Sequence, residues 1–179
     1  MNVKGIFVVF VLLVAVFATV NVVSAGWFDN NVVADDFQFA PITNYSYYTD
    51  IYDGVRLASD ESLSNTIVVR ESNKENFTKL IESESPANLI YSSFLNGKQM
   101  DHPFEKIKSV NESNIHIIVE KNNAGPSVSV TTGLFEKDGF YYHVHIRHHY
   151  DPDLVDDDIQ IVKDIQQSLE RKHSNKYFF

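Results

Sequence analysis

Hydrophobic and polar positions follow two different periods along this chain, after an N-terminal run that has none. Residues Ile6 to Val23 are apolar apart from Thr19 and Asn21, Lys4 is the only charge among the first 25 residues, and the run closes on Val23-Ser24-Ala25. A basic start, an apolar middle and a small-residue end is the layout of a secretory signal. At 18 residues the run also approaches the ~20 needed to span a bilayer. The expectation is a signal peptide over residues 1–25, with an uncleaved N-terminal anchor as the alternative. Either reading places the rest of the chain outside the cytoplasm, released or held at the outer face of the membrane.

Beyond Ala25 a spacer is expected over residues 26–34, with Trp27 and Phe28 as anchors. Asp36-Phe37-Gln38-Phe39 alternates polar and apolar and reads as an opening strand. Asn44 to Thr49 is Tyr-rich and turn-prone. Ile51 to Leu57 carries Asp53-Gly54, the pair expected in a hairpin between short strands. Thr66 to Glu71 is β-branched and strand-like. The period then becomes helical. Phe77, Leu80 and Ile81 share a face over residues 73–82, with Asn73 or Asn76 as cap. A second helix begins at Pro86, which suits a first turn, and carries Leu89, Ile90, Phe94 and Leu95 before Asn96-Gly97 ends it.

From Phe104 the chain reads as an antiparallel meander. Strands are expected over residues 104–110, 115–119, 128–135 and 140–148, with turns at 122–126 and at Lys137-Asp138-Gly139. A closing helix runs from about Pro152 to Lys172, capped by Asp151. Its apolar face is Val155, Ile159, Val162, Ile165, Gln166 and Leu169, widened by Leu154 and Ile161. Asp153, Asp156, Asp157 and Asp158 crowd its positive end, and Arg171, Lys172 and His173 its negative end. The chain shows no internal repeat or low-complexity run. The expected organisation is one α+β domain over residues 35–173 and a tail over 174–179. Its architecture is a central antiparallel β-sheet flanked by helices, with a long C-terminal helix packed on the sheet.

Three stretches carry a resemblance to a known family: Phe37-Gln38-Phe39-Ala40-Pro41, the turn and strand Lys137-Asp138-Gly139-Phe140-Tyr141-Tyr142, and the closing helix around Ile161 to Leu169. With the order of elements, they make residues 35–172 resemble the PsbP/Mog1-like α/β/α sandwich. The resemblance implies helices on both faces of an antiparallel sheet and a non-enzymatic binding or accessory role. A cystatin-like or nuclear-transport-factor-like cone is the alternative fold.

Composition sharpens this picture. Without residues 1–25 the chain keeps 154 residues, enough for one domain with its own core. It then carries 14 basic and 24 acidic residues, a formal charge of −10. Such a surface disfavours nucleic acid and anionic lipid as partners, since both need a cationic face. Membrane contact is then expected only through residues 1–25, if they stay attached. There is no cysteine, so stability rests on packing without disulfides. That fits a prokaryotic cell-envelope protein. The triplets at Asn44, Asn76 and Asn111 permit glycosylation and no more.

Candidate chemistry gathers at His143-Val144-His145-Ile146-Arg147-His148-His149. On a strand, His143, His145, Arg147 and His149 share one face. His143 and His145 then lie about 7 Å apart. That spacing suits one transition metal such as zinc, with His149, His116 or an Asp of 151–158 as a third ligand. Arg147 in the same row argues against a cation, and the competing reading is a polar strand face that binds nothing. The acidic run 151–158 raises calcium, though helix-dipole compensation accounts for it equally well. Nothing else suggests catalysis. The chain has no cysteine nucleophile, no Gly-x-Ser-x-Gly elbow, no HExxH and no phosphate or dinucleotide loop. Tyr45, Tyr47, Tyr48, Tyr52, Tyr141 and Tyr142 form a candidate binding surface. The expected function is an exported, non-enzymatic binding or accessory domain of the cell envelope. Its partner would be a protein, an envelope polymer or a small ligand. The alternative is a metal-binding protein or metal-dependent enzyme built on the histidine cluster.

Overall fold

The computed structural model describes residues 31–59, 64–94, 102–112, 114–122 and 127–172. The expected signal segment, Trp27 and Phe28, the Asn96-Gly97 helix end and the C-terminal tail lie outside the described residues. All described residues except Asn31 belong to the compact unit Val32–Phe179.

Two short strands open that unit, β1 (Val32–Val33) and β2 (Phe37–Phe39). β1 pairs antiparallel with β2, and Ala34 is buried, so the last three residues of the expected spacer belong to the domain. Seven longer strands follow, β3 (Tyr47–Ile51), β4 (Gly54–Ala58), β5 (Thr66–Ser72), β6 (Phe104–Glu112), β7 (Ile115–Asn122), β8 (Val128–Lys137) and β9 (Phe140–His149). They form one antiparallel sheet in the order β3-β4-β5-β9-β8-β7-β6. The meander β6 to β9 agrees with the alternation in the sequence. Its last turn is the two residues Asp138 and Gly139, both at positive φ (54° and 80°), as a twist-matched hairpin requires.

Three local expectations fail for physical reasons. The Tyr-rich segment expected as a turn contributes strand β3, because a hydrogen-bonded neighbour outweighs weak local preference. The expected hairpin is present as β3–β4, but its turn is shifted by one residue to Tyr52-Asp53, with Asp53 at φ 57°, and Gly54 already lies in β4. A Cβ at Gly54 would overlap the Val69 carbonyl oxygen and sit 2.9 Å from the Arg70 Cα, so this glycine allows strand approach. The closing helix ends at Ser168. Glu170–Arg171 then forms β10, which pairs with β2.

Helix α1 (Lys74–Ile81) is capped by Asn73, whose side chain accepts from the Asn76 backbone N–H at 2.8 Å. Helix α2 (Pro86–Phe94) places Ala87, Ile90 and Tyr91 inward at helical spacing, while Leu89 is exposed. The expected face included Leu89 and overlooked Ala87, whose small side chain permits close approach to the sheet. Helix α3 (Val155–Ser168) follows a 3₁₀ turn, Pro152–Leu154, capped by Asp151. Its buried face is Val155, Asp158, Ile159, Val162 and Ile165, and Leu154 stays exposed. The terminal carbonyls of Gln166 and Gln167 accept from Lys137 Nζ at 2.8 and 2.9 Å. A lysine of β8 thus takes the capping role expected of the residues after the helix. Arg171 instead pairs with Glu71 at 2.7 Å and lies over the Phe140 ring.

The strand alternation sorts the sheet into two covered faces. Val55, Leu57, Ile67, Val69, Ile117, Val119, Tyr142, Val144 and Ile146 pack with α3 and with Phe37 and Phe39. Each such side chain contributes about 1.5–3 kcal/mol on burial. On the other face Leu134 packs with Phe77 and Leu80, and Val130 with Ala87 and Phe104. The result is three layers, α1 and α2 on one face and α3 on the other. The cone alternative, with a sheet covered on one side only, does not describe it.

Candidate functional site

The α1/α2 face is covered unevenly, and a cavity of about 310 Å³ remains beside α2. Its floor is set by strand register. Arg70 on β5 pairs with His143 on β9, Val68 with His145, and Thr66 with Arg147, while Arg56 on β4 pairs with Val68. Directly opposed residues of a sheet share a face. Arg56, Arg70, Arg147, His143 and His145 therefore line one space, walled by Thr66, Val68, Ile90 and Tyr91. The Tyr91 ring lies 5.9 Å from the His145 ring.

The electrostatics of this floor are one-sided. Among the described residues no carboxylate lines it. Burial, reinforced by Arg70, pushes the His143 imidazole down to about 4. Burial, with His143, Arg147 and Arg70, pushes His145 down to about 3. Both rings are thus neutral at physiological pH, because a proton there would sit beside guanidinium groups without a counter-charge. The Nδ1 atoms of both histidines and the Nε of Arg70 are buried and have no hydrogen-bond partner among the described residues.

The three candidates for a third ligand lie elsewhere. His116 on β7 pairs with Leu134, and Leu134 with His143, so two strand spacings of about 4.8 Å separate the histidines. Leu134 stands between them, and His116 faces a separate cavity with Phe77, Ile81 and Glu136. His149 shares the strand face of His143 and His145 but is exposed and does not line their cavity. The aspartates of 151–158 belong to the 3₁₀ turn and to α3, which covers the opposite face of the sheet. Among the described residues no group of three His, Cys, Asp or Glu side chains is placed to hold a metal. Three guanidinium groups on the same floor make it a poor host for a cation.

Sequence reasoning missed two buried polar clusters. His148 faces α3, where its Nε2 lies 3.1 and 2.9 Å from the Asp158 carboxylate oxygens. Thr131 donates to the same carboxylate at 2.7 Å. The His148 Nδ1 lies 2.6 Å from the His149 carbonyl oxygen. Both ring nitrogens thus face acceptors, which only the doubly protonated imidazolium satisfies. The hydrogen bond to Asp158 raises the His148 pKa accordingly. Glu120 is fully buried on β7 and accepts from the Ser85 hydroxyl and, at 2.8 Å, from the Ala87 backbone N–H at the start of α2. Burial raises the Glu120 pKa. The strand alternation around Glu120 placed it on the face α2 covers, which was the available clue.

The tyrosines do not form one surface. Tyr142 is core, Tyr141 packs on Phe77, and Tyr47, Tyr48 and Tyr52 are exposed on the edge hairpin.

No protein family and no curated protein matches the sequence. Among solved structures, the Ran-binding protein Mog1p of Saccharomyces cerevisiae is similar over 79% of this chain and 95% of its own, with a TM-score of 0.50 and 8% identity. The domain has the Mog1/PsbP-like fold. Cyanobacterial PsbP (CyanoP) from Synechocystis sp. PCC 6803 is similar over 76% of this chain and 86% of its own, with a TM-score of 0.49 and 10% identity. The likeness read from the sequence is therefore correct at the level of fold. At 8% identity no residue role passes from Mog1p, and the chemistry of this Mog1/PsbP-like domain rests on its own side chains. Those of the α2 cavity offer many hydrogen-bond donors and, among the described residues, no carboxylate.

Proposed function

We propose that the chain is an exported, non-enzymatic binding domain of the cell envelope and that the cavity beside α2 is its ligand site. The observation that carries the reading is the composition of that cavity. It brings five cationic or imidazole side chains together on a rigid sheet, at the lower end of the ~300–1,000 Å³ range of ligand sites. Catalysis is disfavoured by the same composition. A histidine base needs an orienting partner and an adjacent nucleophile. His143 and His145 have no acidic partner among the lining residues, and the one lining aliphatic hydroxyl, Thr66, is buried. Of the partner classes raised by the sequence, a small ligand is the one this concave site favours. Mog1p is a Ran-binding protein, which supports binding as a use of the fold.

Export is supported by the layout of residues 1–25. Among the described residues no helix is long and apolar enough to cross a membrane. Two measurements test the proposal together. The mass of the protein recovered from its host should begin at Gly26. A panel of small anions and neutral sugars should contain a ligand whose thermal stabilisation of the domain disappears in Ile90→Trp, which fills the cavity. A panel in which every stabilising ligand acts equally on the Trp variant would place binding elsewhere and overturn the site.

A further inference from the structure

We infer that the α2 cavity is an oxyanion site whose ligand carries a doubly charged phosphate, as free phosphate or a phosphate monoester. The inference rests on the reading of this cavity as the ligand site and adds the chemistry of what it takes. The chain contains four arginines against eleven lysines, and three of the four, Arg56, Arg70 and Arg147, line this one cavity. The fourth, Arg171, is paired with Glu71. Among the described residues no ion pair involves the cavity arginines. In a chain of net charge −9, three guanidinium groups gathered around one cavity with no carboxylate partner among the described residues need a reason.

A phosphate supplies one. The guanidinium fork matches phosphate oxygens in pairs of parallel hydrogen bonds, which an ammonium cannot do, and this accounts for arginine rather than the commoner lysine. A monoanionic carboxylate would leave two of the three positive charges unmatched, whereas a phosphate dianion offsets more of them and offers several acceptor oxygens. The floor is supplied with donors to meet those oxygens. Among the described residues the Arg70 Nε–H has no partner, and each neutral imidazole can present one N–H from either ring position, since the buried Nδ1 atoms of His143 and His145 are also unpartnered there. Ile90, Val68 and the Tyr91 ring form an apolar wall beside the charged floor. That wall suits an organic substituent on the phosphate.

The test is isothermal titration of the tag-free full chain, in a phosphate-free buffer, with inorganic phosphate, phenyl phosphate, acetate and glucose. The expected result is saturable phosphate binding, tighter for phenyl phosphate than for phosphate and absent for acetate. Arg70→Gln and Arg147→Gln should each weaken it by about 10- to 100-fold, the size of one charge-assisted hydrogen bond. Arg70→Lys keeps the charge and loses the fork, and it should give an intermediate loss if Arg70→Gln does not fold. Lys79→Gln, on an exposed helix surface away from the cavity, should leave binding unchanged. Phosphate binding that is equally tight in the folded arginine variants would overturn the inference. Glucose or acetate binding that is lost in Ile90→Trp, with no phosphate binding, would keep the cavity as a ligand site and overturn its charge preference. No binding of any probe overturns the inference outright.

Discussion

Asp158→Asn should destabilise the domain strongly at mildly acidic pH and much less at alkaline pH. The Asp158 carboxylate is 5% exposed and meets His148, also 5% exposed, and the Thr131 hydroxyl. Removing one partner of a buried ion pair costs about 3–5 kcal/mol, because the survivor is left as an unpaired buried charge. The pH dependence follows from His148. Its folded pKa is raised, chiefly by the hydrogen bond to Asp158, above the ~6.5 of an unfolded histidine. The stability it contributes is therefore fully present below about 6.5 and is lost as pH rises through the folded value. Above that value the neutral ring keeps a single N–H for two acceptors and the ion pair is gone, so replacing the carboxylate by an amide costs less. Urea unfolding of wild type and variant at pH 6 and pH 9 measures both effects. The gap should be at least ~3 kcal/mol at pH 6 and smaller at pH 9. A gap that is small at pH 6, or equal at the two values, would refute an ionised His148.

The cavity histidines act in a different window and with the opposite sign. With folded values of about 4 and 3, they stay neutral while the unfolded chain protonates, so stability should fall as pH drops below about 6.5, by about 1.4 kcal/mol per pH unit for each. Unfolding curves between pH 6 and 4.5 should show a shallower slope in a His143→Gln/His145→Gln double variant, and an unchanged slope would contradict their burial as neutral rings. Gly133→Ala places a Cβ into Val162 Cγ1 and 3.2 Å from Cγ2. It should cost about 1–3 kcal/mol by overpacking, and adding Val162→Ala should cost less than the two single changes summed. Strict additivity in that cycle would mean α3 does not press on β8 there. Lys137→Met should lower stability by about 1 kcal/mol by freeing the Gln166 and Gln167 carbonyls, read as a shift in the urea midpoint.

The parts of this fold that a reader of the sequence can recover are those governed by period and turn chemistry. Alternation over 115–119 and 140–148, with Asp138-Gly139 between strands, defined the meander because register and turn type are coupled. The helical face around Val162 followed from spacing, as did Phe77 and Leu80, whereas Ile81 of the same expected face is exposed. Longer-range pairing was hidden. Tyr47–Ile51 holds strand-favouring residues but no alternation of buried and exposed positions, and Glu170–Arg171 becomes a strand only where β2 lies beside it. The site was half legible for the same reason. Alternation put His143, His145 and Arg147 on one face, and Arg147 already weighed against a cation. Arg56 and Arg70 joined them only through the β4–β5–β9 register. His116 was drawn in as a third ligand because the sequence cannot show that β8 inserts Leu134 between it and His143. The aspartates of 151–158 read as one acidic run, yet a single helical turn sends Asp158 inward to His148 and leaves Asp156 outside, beside Lys108.

The most direct test of the cavity is long-range ¹H–¹⁵N spectroscopy of the histidine side chains during titration with inorganic phosphate. The ring nitrogens of His143 and His145 should shift together and saturate at a common dissociation constant, while those of His148 and His116 stay in place. Phosphate titration that leaves His143 and His145 unmoved would contradict an oxyanion site in this cavity.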